Sequence, residues 1–557
     1  MASISYALRN IAPTLVQAAT LLLCFGSGAL LDHFEQLGPT IVVLTVVLGL
    51  TLGRTYRNGD TRQKLAGFAV LPLVSMACTE VGRLFIEHPT TADALFTAAL
   101  GASIWMRRFG PRVARLGTLV ALPFIALLVT PVPVVPVPGA MPAIGHTIAW
   151  SAVASVIALC WVWITQEVAE RSGLVEPQRT QQVPQLPQQR RKLQNQSQQN
   201  QQRQPRTAAR RIAPSTRMAV QMTLSVGLAF VIGRTVFSTH WAWIVMTAFI
   251  VNSGNRGRGD VVHKSLMRIA GASVGTVIAT LLAGLLPPRD NTAIVIILIV
   301  VIVGSWLRTI SYTYWAGCVT AVLSLLQGYF GETHVGLIGE RLLQIVLGGA
   351  LAVAIAWFVL PIKSTQALRR RLADCLAPLT EALRAAAEPD LEALGRHHAA
   401  FRANLAQLEL TAPSIVAHRR LHRLRGLAST GHPADAIDAV RACAEPLSTL
   451  VTRLEQEQEP GSRADPGIPQ KLKAVMGNVV AARMFIGRRE GARYRDLPHA
   501  ESDGDAVHIA LRTIDEAMGV ICEVYGSAGS SDAGSGNTGA GDARAHAQNA
   551  PTPVPET

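Results

Sequence analysis

Long apolar runs alternate with short polar ones through the first two-thirds of the chain. Runs that reach or approach the ~20 helical residues needed to cross a hydrocarbon core lie near 11–31, 37–53, 65–86, 92–106, 113–130 and 143–165. A second set lies near 217–237, 239–253, 265–286, 292–307, 312–329 and 339–361. The pattern predicts an all-α polytopic membrane protein of about twelve transmembrane helices in two six-helix halves. The two sets frame halves at 1–168 and 215–362. Between them, QRTQQVPQLPQQRRKLQNQSQQNQQRQPRTAARR (178–211) has almost no bulky apolar residue. The 169–214 region is therefore expected to be a disordered Gln/Arg-rich linker.

After Pro361 the period changes. Leu368, Leu372, Leu376, Leu379 and Leu383 fall on one helical stripe, and Ile437, Val440, Leu447, Val451 and Leu454 on another. Residues 363–525 read as a helical domain, and 526–557, rich in Gly, Ser and Ala, as a disordered tail.

Charge adds the orientation. The 557 residues carry a net charge of +14 with only 16% charged residues, and a mean hydropathy of +0.29. The basic stretches 54–64, 107–115, 169–217 and 253–268 alternate with the acidic or uncharged 32–38, 87–93, 131–142 and 331–340. PPRDN (287–291), with one Arg and one Asp, is a weak exception. Lys and Arg stay on the cytoplasmic side. Both termini, the linker and the 363–525 domain are thus expected in the cytoplasm, and the positive charge is topology rather than a nucleic-acid surface. The first apolar run lacks a convincing cleavage site and reads as an uncleaved span. Seven scattered cysteines, with no CxxC pair and no His at ligand spacing, argue against disulfides and a metal site. No nucleophile–base set or carboxylate pair points to an enzyme, and no cofactor is expected.

The halves resemble each other. Gly59, Asp60 and Lys64 match Gly259, Asp260 and Lys264 at a constant offset; RNIAP (9–13) is echoed by RIAP (211–214), and AIGH (143–146) by LIGE (337–340). Six spans per half would give the repeats one orientation, related by an axis along the membrane normal. Ionisable groups inside spans are costly, ~2.5–3.5 kcal/mol each on insertion scales, so each is a candidate. Arg234 and Arg341 offer forked donors suited to a carboxylate. Gln344 lies a turn beyond Arg341, and Gln221 sits near the start of its half. Glu80, which can pair with Arg83, and His146 and Glu340, at the starts of equivalent spans, are proton-carrying candidates. Snorkelling and structural ion pairs are the plain alternatives. Short spans in matching positions mark a central site; there Trp243 suits an aromatic substrate, and Trp241 an interfacial belt. Gly271, Gly275 and Ala279 make a smooth face for close helix packing. HRRLHRLR (418–425) is a basic amphipathic segment.

HWAWIVMTAFIVNSGNRGRGDVVHKSLMRIAGASVGT (240–276) and ERLLQIVLGGALAVAIAWFVLP (340–361) resemble the fusaric acid resistance protein family, also called aromatic acid exporters. The likeness covers about 215–361. In the first half KLAGFAVLPLVS (64–75) lacks the second glycine and carries Pro72. The resemblance implies a bacterial inner-membrane exporter of small organic, aromatic carboxylic, anions driven by the proton gradient. It also implies a periplasmic adaptor and an outer-membrane channel as partners, besides the lipid bilayer. A homo-oligomer is open. Arg268 is expected to position the inner loop of the substrate pathway. Related plant proteins are anion channels, so a passive channel is the alternative within transport. A membrane-anchored regulatory scaffold acting through 363–525 is the alternative outside it.

Overall fold

The computed structural model describes residues 11–56, 61–129, 144–175, 213–237, 240–283, 287, 289–330, 336–362, 364–388, 390–426, 431–457, 467–489, 491, 493–497 and 506–533. Most of the expected 169–214 linker, the 131–142 loop and the tail beyond 533 lie outside the described residues. All regular structure among the described residues is helical. The chain divides into two compact units, Met1–Ala367 and Leu368–Thr557.

The first unit holds α1 (Ile11–Glu35), α2 (Pro39–Tyr56), α3 (Thr61–Glu87), α4 (Pro89–Trp105), α5 (Pro111–Val129) and α6 (Ile144–Arg171). After the linker come α7 (Pro214–Val236), α8 (Ala242–Asn252), α9 (Arg258–Ala283), α10 (Asn291–Leu307), α11 (Tyr312–Tyr329) and α12 (Gly336–Phe358). Each apolar run thus carries one helix. Proline opens α2, α4, α5 and α7, where its missing N–H and fixed φ cost nothing. Among the described residues six helices are long and apolar enough to cross a membrane: α1, α3, α6, α7, α9 and α12. Helices α2, α5, α8 and α10 are apolar but shorter. At 1.5 Å per residue, α8 rises only ~16 Å.

The pairs α1–α2, α1–α6, α2–α6, α3–α5, α3–α6 and α4–α5 recur, six numbers on, as α7–α8, α7–α12, α8–α12, α9–α11, α9–α12 and α10–α11. Two seams join the sets, α4 on α7 with α5 on α8 beside it, and α10 on α1. The α4–α7 seam is filled by Phe85, Phe96, Phe124, Phe230 and Trp241, whose ring centroids stand 5.1–6.0 Å apart along a chain of contacts. Such pairs add ~0.5–1.5 kcal/mol each beyond their burial. Trp241 is therefore a core residue and not part of an interfacial belt. Its ring is held among Phe85, Phe230 and the Arg234 guanidinium, which lies 4.2 Å from its centroid.

Helices α9 and α11 approach backbone to backbone. A Cβ on Gly271 would collide with the Thr313 carbonyl, and one on Gly275 with the Gly317 carbonyl. Ala279 is fully buried beside α11 residues Ala321 and Leu325.

The second unit comprises α13 (Ser364–Ala387), α14 (Leu391–Glu409), α15 (Ala412–Leu424), α16 (Pro433–Ala442), α17 (Ala444–Glu457), α18 (Ile468–Ile486) and α19 (Ala506–Ala533); the division between units falls inside α13. Both apolar stripes face one core, with Leu454 at its margin. Asp515, buried on α19, accepts from Asn478 Nδ2 (2.7 Å) and from the Tyr494 hydroxyl (3.3 Å). Helix α19 runs past the expected limit at 525 to Ala533, because extending an existing helix needs no new nucleus. On α15, Arg419 turns back to Asp435 and Asp438, so part of the basic segment is neutralised within the fold.

Replacing Gly275 with leucine forces α9 off α11, at an overpacking cost of about 1–3 kcal/mol. The melting temperature of the purified full chain is expected to fall. Gly145→Leu, at a position with open space around it, is expected to leave it unchanged. Equal melting of the two variants would contradict the packing described.

Candidate functional site

Helix α8 is the axis of the site. Trp243, Ile244, Val245, Met246, Thr247, Ala248, Phe249, Val251 and Asn252 are all buried, against α5, α7, α9 and α12. At its C-terminal end, Asn252 Nδ2 donates to Ser225 Oγ at 2.8 Å. The basic loop that follows is then folded onto the exit of α12. Asn255 Nδ2 donates to Gln221 Oε1 (3.3 Å), and Gln221 Nε2 to the Val359 carbonyl (2.8 Å). Gly259 N donates to Ser364 Oγ (3.1 Å). Gly257 sits at φ +143°, with Ser364 where a Cβ would go. Lys264 pairs with Asp260 at 2.8 Å, and the Arg258 guanidinium lies 4.7 Å from the Trp357 ring centroid. Asp260, Lys264 and Arg258 thus all have partners within the unit, and the segment latches α8, α9 and α12 together. Gln221 belongs to this latch.

The other end of α8 gathers a second group. Glu340 lies 3.6 Å from His240 and accepts from Gln344 Nε2 at 3.0 Å. Arg341, 6% exposed, lies 5.6 Å from the Trp243 centroid. Trp243, Glu340, Arg341 and Gln344 are thus brought together. Arg234 stands apart from them. It makes a two-pronged bond to Asp93 across the α4–α7 seam, Nε to Oδ2 at 3.1 Å and Nη2 to Oδ1 at 2.9 Å. Its fork is already filled by a carboxylate of the protein. Glu80 is paired with Arg83 on α3, and His146 lies 3.0 Å from Glu35 at the far end of α1. These two proton-carrying candidates are not joined to the α8 cluster.

Arg268 is different in kind. It is 1% exposed on α9, the largest fully buried side chain in the protein's described part. Among the described residues, its Nε and Nη2 find no hydrogen-bond acceptor. A guanidinium does not shed its proton in a protein. An unpaired buried charge of this sort costs several kcal/mol unless an anion joins it. At the matching position of the first half stands Phe68, whose ring contacts Trp163. The phenol of Tyr312 is close enough to interact electrostatically with both Arg268 and Arg308.

Arg308 leads to open space. With Gln17, Gln166, Thr20, Ser305 and the carboxylate Glu170 it lines a polar cavity of about 300 Å³ on the α1–α10 seam. Farther along the same seam lies an apolar cavity of about 470 Å³ between α1, α2, α10 and α11. Tyr312, at the start of α11, thus neighbours both arginines, of which Arg308 lines the polar chamber.

Residues 224–355 match the fusaric acid resistance protein-like family. This stretch is similar to that family. The family segment runs from α7 to α12, and so contains Arg234, Trp243, Arg268, Arg341 and Gln344. Gln221, Glu80 and His146 fall outside it. Among curated proteins the chain is similar to the multidrug resistance protein MdtO of Escherichia coli strain K12, of Escherichia coli O157:H7 and of Shigella flexneri. Each is 29% identical over 195 residues, covering 32% of this chain and 28% of the relative. The match thus spans less than a third of those relatives' length. No solved structure matches. With the family segment and its long apolar helices, this is a multi-pass membrane protein.

Sequence reasoning missed Asp93, Arg308 and Tyr312. Asp93 lies in a stretch that reads as a polar loop, although Pro89, a good first helical residue, marked α4 as starting earlier. Arg308 and Tyr312 flank a helix junction, where charge is ordinarily dismissed as rim.

The Arg234–Asp93 bond is expected to behave as one unit. Arg234→Gln and Asp93→Asn should each lower stability by about 1–3 kcal/mol, and the double variant by clearly less than their sum. A mutant cycle on the unfolding free energy of the full chain checks this; strict additivity would deny the coupling.

Proposed function

We propose that the protein is an inner-membrane exporter of small organic anions, aromatic carboxylates foremost, with the anion held at Arg268. The observation that carries this reading is the buried guanidinium whose Nε and Nη2 have no acceptor among the described residues. A structural arginine at such depth would be expected to have a protein carboxylate, as Arg234 has Asp93. A substrate carboxylate matches the vacant fork in shape and charge. The family of residues 224–355 and the relatives' description as multidrug resistance proteins support efflux.

In this reading α1–α12 are twelve spans in two parallel repeats. Support comes from the long helices, which fall first, third and sixth in each set of six, and from the pairings that recur six numbers on. The basic segments put both termini, the linker and the second unit in the cytoplasm. Arg308, at the polar chamber, then faces the cytoplasm and attracts the anion. Tyr312 connects Arg308 to Arg268. Arg341 and Gln344 beside Trp243 lie toward the outer end, with Glu340 as a proton carrier, and Glu80 and His146 as further ones. Uptake of the proton gradient's energy, a periplasmic adaptor and an outer-membrane channel complete the proposed system.

The test is uptake of labelled 4-hydroxybenzoate into inverted vesicles. Wild type is expected to accumulate it against its own gradient, and a protonophore to abolish accumulation. Flux that only dissipates a gradient would replace the exporter with a channel. Arg268→Gln is expected to reduce uptake at least tenfold at equal expression. The same change removes an uncompensated charge, so the ligand-free protein should melt higher by the equivalent of about 1–3 kcal/mol, while losing its stabilisation by ligand. Wild-type uptake by Arg268→Gln would remove Arg268 from the mechanism.

A further inference from the structure

The two seams that join the helix sets are alike in topology and opposite in filling. On α4–α7, five aromatic rings occupy the interface and Arg234 bridges to Asp93. On α1–α10 the corresponding space is open. The apolar cavity there, about 470 Å³, has the volume of a small-molecule site. Its walls include Phe25, Trp315, Tyr329 and Phe330, and its ionisable lining consists of Asp32 and His33, with no arginine or lysine among the described residues.

Charge decides what this chamber accepts. A carboxylate entering it would meet Asp32 and lose its hydration with no fixed cation in the walls to replace it. An uncharged aromatic molecule would meet ring faces and edges and would bury apolar surface without that cost. We propose that the α1–α10/α11 chamber is a binding site for an uncharged aromatic molecule, distinct from the anion position at Arg268. The polar chamber adjoins it. Thr20 and Phe25 on α1, Gly53 and Leu50 on α2, and Ser305 and Val301 on α10 line the polar and apolar chambers in turn. The two are therefore about one helical turn apart, roughly 5–8 Å. Arg308 lines the polar chamber and its guanidinium lies 5.2 Å from the ring centroid of Trp315, which lines the apolar one. That stack is the partition between them. It sorts charged from uncharged species: the anion stays on the Arg308 side and the uncharged ring on the far side.

The experiment is equilibrium binding of tritiated 1-naphthol and 1-naphthoate to the full chain in lipid nanodiscs at pH 7.5. The probes share a ring system and differ in charge. Naphthol is expected to bind saturably, and Val322→Trp, which fills the chamber, to weaken it at least tenfold. Cys318→Phe, a milder filling of the same wall, is expected to weaken it at least threefold. Naphthoate is expected to be unaffected by either change. Asp32→Asn retains the oxygen that accepts from Gly38 N and is expected to leave naphthol binding intact while naphthoate begins to compete for its site. Non-saturable naphthol binding, or saturable binding that both filling variants leave unchanged, would overturn the site and mark the chamber as a lipid-filled groove. Equal competition by naphthoate in the wild type would overturn its selectivity. The transport reading is tested separately: loss of hydroxybenzoate uptake in the wild type with naphthol binding intact would end that reading and leave this one standing.

Discussion

A positive charge that cannot be neutralised by proton loss lies inside an apolar helical unit, and much of the surrounding architecture keeps it there. Arg268 is carried by α9, and α9 is pinned to α11 through Gly271 and Gly275, whose missing side chains let the backbones touch. The same helix begins in the latch of Asn255, Gly257 and Gly259, tied to Gln221 and to the end of α12. Depth and orientation of the guanidinium thus follow from contacts made on both sides of it. A cost of several kcal/mol for an unpaired buried charge is large against the net stability of a protein. It is offset when an anion binds, which is the physical content of the proposed function.

The contrast with Arg234 sharpens the point. Both arginines lie in the family segment, and both sit on helices among the six long apolar ones. Arg234 has Asp93 and the Trp241 ring, so its charge closes a seam. Arg268 has the Tyr312 phenol as its electrostatic neighbour, and its Nε and Nη2 have no acceptor among the described residues. One guanidinium serves packing and the other remains available. The same division runs through the α4–α7 and α10–α1 seams, one filled with rings and the other holding two chambers. Repeated topology with unequal filling is how two similar helix sets can carry a single route.

Much of this was legible in the chain. Apolar run lengths located α1–α12, because a membrane-spanning helix and its polar flanks leave a signal of about twenty residues. Glycines at four-residue spacing announced a close helix contact on α9, though not α11 as the partner, and the Leu stripe from Leu368 announced a core. Arg268 read as the end of the basic 253–268 stretch, and its burial did not show. The partners did not stand out. Arg234 and Asp93 are 141 residues apart, and nothing local to either marks the other. Trp241 suited an interfacial belt by residue type, yet stacking on Arg234 and two Phe rings places it in the core. The chambers were invisible for a plainer reason: a cavity is space left between helices distant in sequence, and no residue encodes it alone.

The most direct measurement is an experimentally determined structure of the full chain with 4-iodobenzoate, the iodine located by its anomalous scattering. The account predicts iodine density placing the carboxylate within hydrogen-bond reach of Arg268, and loss of that density in Arg268→Gln. A carboxylate side chain of the protein seated on Arg268, with iodobenzoate bound elsewhere or not at all, would contradict it.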